Sequence, residues 1–169
     1  MSNRERILQT ARRLAIEAGS VPSLDAVAAA SGVSKGGLMH HFRSRAALLD
    51  GIAAQAIEAM DEALAAAAEG GNVTETWLRL SMSREDADLY RALLVSFTDS
   101  GSTTEALLRR SAEATERWER LIADEVGDPV AAAVIRLLGD GMVMNSVTGD
   151  RLPPLESVLE WLKPRAGRE

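Results

Sequence analysis

Hydrophobic positions return at the spacing of an α-helix along most of the chain. In the first segment Ile7, Leu8, Ala11 and Leu14 fall on one face of a helix, and Gly19 ends the run. Alanine and leucine dominate the apolar positions, and few runs are rich in the Val, Ile and Thr residues that favour strands. The pattern therefore predicts an all-α protein.

Between residues 20 and 42 the pattern predicts two short helices joined by a tight turn. Ser23 is placed to cap the first helix, and Gly32 supplies the turn because glycine adopts a positive φ angle without steric cost. Ser34 is placed to cap the second helix, in which Leu38 and Phe42 return to the same core at i,i+4. Such a pair forms a helix-turn-helix, a motif whose second helix lies in the major groove of DNA.

One long helix and five further helices are predicted after this motif. Ser44 is placed to cap the long helix, which continues to Gly70-Gly71 and spans roughly 38 Å at 1.5 Å per residue. It either links the first 48 residues mechanically to the rest or serves as a plain scaffold. The five further helices are predicted from about Val73, from Ala87 to Thr98, from Thr103 or Thr104, from Pro129 to Val147 and over residues 155–162, with a break at residues 99–102.

Charge divides the chain into two parts. Residues 1–50 carry seven Lys and Arg against four Asp and Glu, whereas the other 119 residues carry 12 against 21. The net charge of −6 argues against a nucleic-acid partner, but the local distribution matters more than the sum. A basic head (residues 1–48) and an acidic body (residues 49–169) indicate a DNA-binding domain joined to a helical domain that does not bind DNA.

Several classes of function find no support in the sequence. The absence of cysteine excludes disulfides, thiolate metal sites and thiol catalysis. No nucleophile elbow, phosphate loop or zinc-protease motif occurs, so we expect neither an enzyme nor a cofactor. Adjacent His40 and His41 point about 100° apart on a helix and have no third ligand nearby, so no metal site is expected. Without a signal peptide or an 18-residue apolar span, a cytoplasmic protein with no membrane partner is expected.

The helix-turn-helix segment resembles the DNA-binding domain of the tetracycline-repressor (TetR) family of bacterial transcription regulators. The resemblance rests on GVSKGGLMHHF at residues 32–42, followed by Ser44-Arg45 and Leu48-Leu49, and it covers about residues 4–60. It implies a three-helix DNA-binding head, a helical body that dimerises and binds an effector, and binding to a pseudo-palindromic operator. The effector, the operator, the regulated genes and the choice between repression and activation do not follow from the sequence.

The resemblance assigns candidate DNA contacts on and beside the second short helix. We expect Lys35, Gly37, Met39 and His40 to face the groove. The phosphates are expected to meet Ser34, His41 and Arg45, with Lys35 and Arg45 bracketing the glycine-rich helix that includes Gly36. His41 is alternatively a partly buried hydrogen-bonding residue beside Phe42. Gly37 and Met39 depart from the family pattern, which has Thr, Ser or Ala at the first position and Tyr or Phe at the second.

The body holds two further sets of candidate residues. The apolar helix from Pro129 and the short helix around Trp161 are predicted to form a four-helix dimer interface, unless both are ordinary core. The interface candidates are Ala132, Val134, Leu138, Gly139, Val143 and Trp161. The family implies a pocket for a small apolar effector, although Met and Trp at helical spacing are often plain core. The pocket candidates are Met60, Trp77, Leu93, Phe97, Trp118 and Met142.

The sequence thus predicts a ligand-responsive DNA-binding transcriptional regulator, a repressor, that acts as a homodimer on double-stranded DNA. The alternative is a constitutive helical DNA-binding or protein-interaction module without a small-molecule effector. An interaction module explains the body, but it explains neither the capped helix-turn-helix nor the basic head.

Overall fold

The computed structural model describes residues 1–97 and 105–163 in full and the backbone of residues 98–100. These residues form helices and no strands, which confirms the all-α prediction. The helices are α1 (Asn3–Ala18), α2 (Leu24–Ser31), α3 (Lys35–His41), α4 (Arg45–Gly70), α5 (Val73–Ser81), α6 (Arg84–Ser100), α7 (Glu105–Val126), α8 (Pro129–Thr148) and α9 (Leu155–Leu162).

Side-chain caps begin the helices of the head where the sequence predicts them. The hydroxyl oxygens of Ser23, Ser34 and Ser44 each accept a hydrogen bond from the backbone N–H three residues on, at 3.2, 3.1 and 3.0 Å. Gly32 ends α2 in the left-handed conformation with φ of 66°. Each cap contributes about 1 kcal/mol to helix stability and fixes the first residue of its helix. The helix-turn-helix boundaries are therefore set by local chemistry.

The sixth helix begins earlier than the hydrophobic pattern indicates. It starts at Arg84 because the Ser83 hydroxyl caps it, accepting from the Asp86 N–H at 3.3 Å. Its backbone continues to Ser100, past the predicted end at Thr98. The rest of the predicted break, and the predicted helix start at Thr103 or Thr104, lie outside the described residues.

Two hydrophobic clusters form the core, and α4 runs through both. The head cluster is built from α1 to α3 and the first turns of α4, and it also takes in Leu89, Ala92 and Leu93 of α6 and Leu107 of α7. The body cluster includes Leu64 of α4 together with apolar side chains of α5, α7, α8 and α9. The head core therefore extends across the predicted boundary at residue 48 into α6.

The eighth helix is the one helix among the described residues with the length and composition of a membrane span. A single helix of this kind is weak evidence for a membrane, because core helices of helical proteins pass the same test. Ala132, Ile135 and Met142 on its buried side belong to the body cluster. The packing of α8 is therefore that of a helix in a multi-helix body with one side left open.

Candidate nucleic-acid interface

The third helix presents one face to the core and the opposite face to solvent. Leu38 is fully buried and Phe42, directly after the helix, is almost so. On the other side Lys35, Met39 and His40 are exposed. The structure thus places the predicted groove-facing side chains together on one open surface, and their contact with DNA stays a prediction.

Phe42 is held by a glycine that the sequence pattern did not single out. A Cβ atom at Gly51 of α4 would lie 2.7 Å from Phe42 Cε1 and 3.1 Å from Leu8 Cδ2, so only glycine fits there without displacement. The guanidinium of Arg4 lies 5.8 Å from the centre of the Phe42 ring. A lone glycine inside a helical pattern was the only sequence signal for this close approach.

The two glycines of α3 differ in their surroundings. A Cβ at Gly36 would meet no atom of the described residues within 4 Å. A Cβ at Gly37 would lie 3.1 Å from Val33 Cγ1 and 3.2 Å from Ser34 Oγ, so the packing beneath the helix cap favours glycine there. No contact in the described part of the chain therefore accounts for Gly36, which leaves backbone open on the exposed face.

Among the described residues, the charged and imidazole side chains of this face have few strong partners. The Lys35 ammonium lies 2.8 Å from Asp25, but both side chains are 70% exposed, and such a pair contributes at most about 1 kcal/mol. The rings of His40 and His41 lie edge to face with centroids 5.3 Å apart. Among the described residues no group of three metal-ligating side chains occurs. Lys35 and both imidazoles are therefore accessible to an anionic partner.

The half-buried side chain of Arg45, which the sequence predicts at a phosphate, makes hydrogen bonds within the protein. Its Nε and Nη2 atoms donate to the Val21 carbonyl oxygen at 3.1 and 2.6 Å. Nη2 also lies 3.5 Å from Ser96 Oγ. Arg43, two residues earlier, is exposed, and the described residues give it no ion pair. Arg43 is therefore a further candidate for a phosphate contact, and the sequence pattern marks it only as part of the basic head.

The predicted effector-pocket residues are divided between the two hydrophobic clusters. Leu93 and Phe97 pack in the head cluster, whereas Met60, Trp77, Trp118 and Met142 pack in the body cluster. The tryptophan rings lie 5.7 Å apart, and Trp118 Nε1 donates to Asp61 Oδ1 at 2.7 Å. The six residues are divided because helical spacing shows which face of a helix is buried, but it does not show which other helix packs on that face.

A surface groove lies instead between the start of α5, the end of α7 and α9. None of the six predicted pocket residues lines it. The Thr74 N–H at its edge donates to Glu125 at 2.6 Å. Charged side chains occur on all three sides of its lining: Glu75, Arg79, Glu125, Glu156, Glu160 and Lys163. The groove is therefore a surface feature that the sequence did not predict.

The interface candidates differ in how far the structure exposes their side chains. Val134 is 52% and Trp161 61% exposed, whereas Leu138 and Val143 are half-buried. Ala132 and Gly139, which were expected at close approach between subunits, face the core of their own chain. Ala132 is fully buried, and a Cβ at Gly139 would lie 2.2 Å from Trp77 Nε1. Gly139 faces inward because it makes room for the Trp77 ring, which donates to the Ile135 carbonyl at 3.2 Å.

The open side of α8 carries an apolar stripe that includes residues missed by the sequence prediction. The stripe consists of Val130, Val134, Leu137, Gly141 and Met144, all exposed and spaced by three or four residues. Beside it, burial raises the pKa of Asp140, and the Arg136 guanidinium opposes that shift. Arg136 also donates to Glu119 at 2.6 Å. An ion-pair cluster therefore borders the stripe.

Comparison with known protein families assigns both parts of the chain. The model described as "Bacterial regulatory proteins, tetR family" matches residues 7–52. The model described as "Tetracyclin repressor-like, C-terminal domain" matches residues 71–158, which is more than half of the chain. No curated protein sequence matches it. With the helix-turn-helix geometry, these matches show that the chain belongs to the TetR family and is a DNA-binding transcriptional regulator.

Proposed function

We propose that this protein is a cytoplasmic repressor that binds a pseudo-palindromic operator as a homodimer, with one α3 helix in the major groove of each half-site. One observation carries the proposal. A separately capped seven-residue helix turns Lys35, Met39 and His40 outward while Leu38 holds it on the core. A short helix supported from behind and open in front is the arrangement that reads base edges.

The exposed groups divide by the chemistry that they offer to DNA. The Lys35 ammonium donates to the O6 and N7 acceptors of guanine, and the Met39 side chain suits the methyl group of thymine. His41 ends α3 and Arg43 follows the helix, and both are exposed where they would meet the phosphates. The Ser34 hydroxyl already accepts from the Gly37 N–H, but its own proton remains available to a phosphate oxygen. Gly36 lets the DNA backbone approach closely.

The dimer is proposed to form through the apolar stripe of α8 together with Trp161 of α9. Val130 is 73% and Leu137 57% exposed, so a monomer leaves a contiguous apolar surface in water. A two-fold axis through this surface brings the same stripe from each subunit together, because a closed dimer uses one patch twice. The axis also presents the two α3 helices symmetrically, as a pseudo-palindrome requires.

Response to a small apolar effector is the second part of the proposal. The support is the family together with the cluster of Met60, Trp77, Trp118 and Met142 in the body. Asp61 of α4 links α4 to α7 at this cluster, since it accepts from both Trp118 and Arg117. A molecule that opens the cluster displaces α4 and changes the spacing of the heads, with a coupling free energy of about 1–3 kcal/mol.

A constitutive regulator is the second candidate. Its support is the distribution of the predicted pocket residues between two packed clusters. Titration with a panel of hydrophobic ligands separates the two candidates. An effector changes the fluorescence of Trp77 and Trp118 and releases DNA in parallel, whereas a constitutive regulator shows neither change.

Selection of bound duplexes from a random pool tests the proposed function. We expect an enriched motif with two inverted half-sites, their centres separated by about one helical turn of 10 base pairs or a multiple of it. Enrichment of an unrepeated site, or of no site, contradicts the proposal of a symmetric operator. Sedimentation of the complex checks that two chains bind each duplex.

A further inference from the structure

The peptide group of Val21 is held from both sides by side chains distant in the sequence. Its N–H donates to Ser96 Oγ at 2.8 Å, and its carbonyl oxygen accepts from Arg45 Nε and Nη2 at 3.1 and 2.6 Å. The Ser96 hydroxyl donates in turn to the Ala92 carbonyl at 2.7 Å. Val21, Arg45 and Ser96 are here called the Val21 clamp.

The clamp lies at the junction of three elements. Val21 is in the loop between α1 and α2, two residues before the Ser23 cap, whereas Arg45 begins α4 and Ser96 belongs to α6. Ser96 is fully buried and Val21 nearly so. Buried polar groups destabilise the fold unless they are hydrogen-bonded, so this geometry is strongly preferred. The clamp therefore fixes where α2, and the α3 helix packed on it, begin relative to α6.

The sixth helix is also bonded at two other places. Near its start Glu85 and Asp86 pair with Arg12 of α1, at 3.2 and 2.9 Å. In its middle Arg91 donates to the carbonyl oxygens of Val147 and Ser146 at the end of α8, at 2.9 and 3.3 Å. α6 thus bonds to the head at both ends and to α8, the helix of the proposed dimer surface, between them.

We propose that Arg45 is a positioning residue: through Val21 and Ser96 it sets the orientation of α2 and α3 relative to α6. The phosphate contact expected of a basic residue at this point falls to Arg43, which is exposed two residues earlier. The inference rests on the proposed binding to DNA, and it replaces one predicted phosphate contact by an internal one. The two arginines carry the same charge and lie close in sequence, so they form a matched pair for experiment.

The test is the salt dependence of binding to the selected duplex for Arg43→Met, Arg45→Met and Ser96→Ala. Arg43→Met flattens the slope of log K against log salt by about one for each protomer, because one phosphate contact is lost. Arg45→Met and Ser96→Ala lower affinity about five- to tenfold at an unchanged slope, as loss of a buried hydrogen bond predicts. The double variant of Arg45 and Ser96 binds as weakly as Arg45→Met alone, because both changes open one clamp.

Two results overturn the inference. One is a flattening of the salt slope by Arg45→Met equal to that of Arg43→Met. The other is an unchanged affinity in Ser96→Ala, whose side chain is buried and carries no charge. If Arg45→Met fails to fold, as judged by circular dichroism, Ser96→Ala carries the test alone.

A second measurement does not depend on DNA. The chain has no cysteine, so spin labels at Ala30→Cys on α2 and Ala112→Cys on α7 report the distance between head and body. Opening the clamp broadens this distance distribution in Ser96→Ala and Arg45→Met, whereas Arg43→Met leaves it unchanged. Identical distributions in all variants contradict the positioning role. If no duplex is selected while the distributions broaden, the proposed operator binding fails and the positioning role stands.

Discussion

The head and the body of this chain are both helical, yet they depend on different kinds of information. In the head, serine caps fix where α2, α3 and α4 begin, and buried apolar residues follow each cap within about one turn. Ser23, Ser34 and Ser44 all cap their helices as the sequence predicts. In the body, the decisive contacts join residues far apart, such as Trp77 against Gly139. Local signals set where helices begin, whereas packing partners are set only by the complete fold.

The largest expected effect comes from a substitution in the head cluster that leaves the body cluster intact. Phe42→Ala removes a buried ring packed on Gly51 and costs about 3–5 kcal/mol of unfolding free energy. Operator binding is then lost, while the dimer persists, because α8 and α9 pack on the body cluster. Thermal unfolding and sedimentation of the same variant measure both consequences. Two outcomes contradict the separation of the head and body clusters. One is unchanged thermal stability, and the other is a dimer that dissociates while operator affinity is retained.

A second prediction contrasts the two sides of α8. Val134→Glu places a charge in the proposed dimer surface and weakens the dimer by about 2–4 kcal/mol, the order of an unpaired buried charge. The subunit remains folded because Val134 is exposed. Ala132→Glu places the same charge in the body cluster and unfolds the subunit. Sedimentation together with circular dichroism distinguishes the two variants. If the Val134→Glu protein remains dimeric, the stripe is not part of the interface.

The sequence specified the fold of the head and the outward face of α3 because these depend on neighbours within a few turns. It misplaced Ala132 and Gly139 because a small residue permits close approach equally to its own core and to another subunit. It does not predict the hydrogen bond from Arg45 to the Val21 carbonyl, because a basic residue beside a DNA-facing helix gives no sign of a carbonyl 24 residues earlier in the chain. The sequence likewise does not show that Gly51 packs against the Phe42 ring.

A third prediction concerns the exposed backbone at Gly36. Gly36→Ala has room for the added methyl group and stabilises α3 by about 1 kcal/mol through helix propensity. Operator affinity falls nonetheless, since the methyl group separates the helix from DNA. Gly37→Ala is the comparison variant, because its methyl group lies 3.1 Å from Val33 Cγ1 and 3.2 Å from Ser34 Oγ instead of in open space. An affinity of Gly36→Ala at or above that of the wild type means that DNA does not approach this position.

The smallest effect is expected at the capping box of α1. Hydrogen bonds from the Ser2 backbone N–H and hydroxyl hold the pKa of Glu5 below its usual 4.5. Because the pKa is lowered in the folded state, this stabilisation is present at neutral pH and is lost as the pH falls through the folded-state value. Glu5→Gln therefore weakens the decline in thermal stability as the pH falls below 4.5, which thermal unfolding at a series of pH values measures.

The central claim is that α3 of each subunit reads one half-site, and the most direct test is selection from a random duplex pool with Lys35→Ala and Met39→Ala. The account predicts that each substitution relaxes base preference at one pair of positions related by the two-fold axis. The loss is about 1–3 kcal/mol of discrimination for Lys35, with preferences elsewhere unchanged. Motifs identical to that of the wild-type protein in both variants would contradict α3 as the helix that reads DNA.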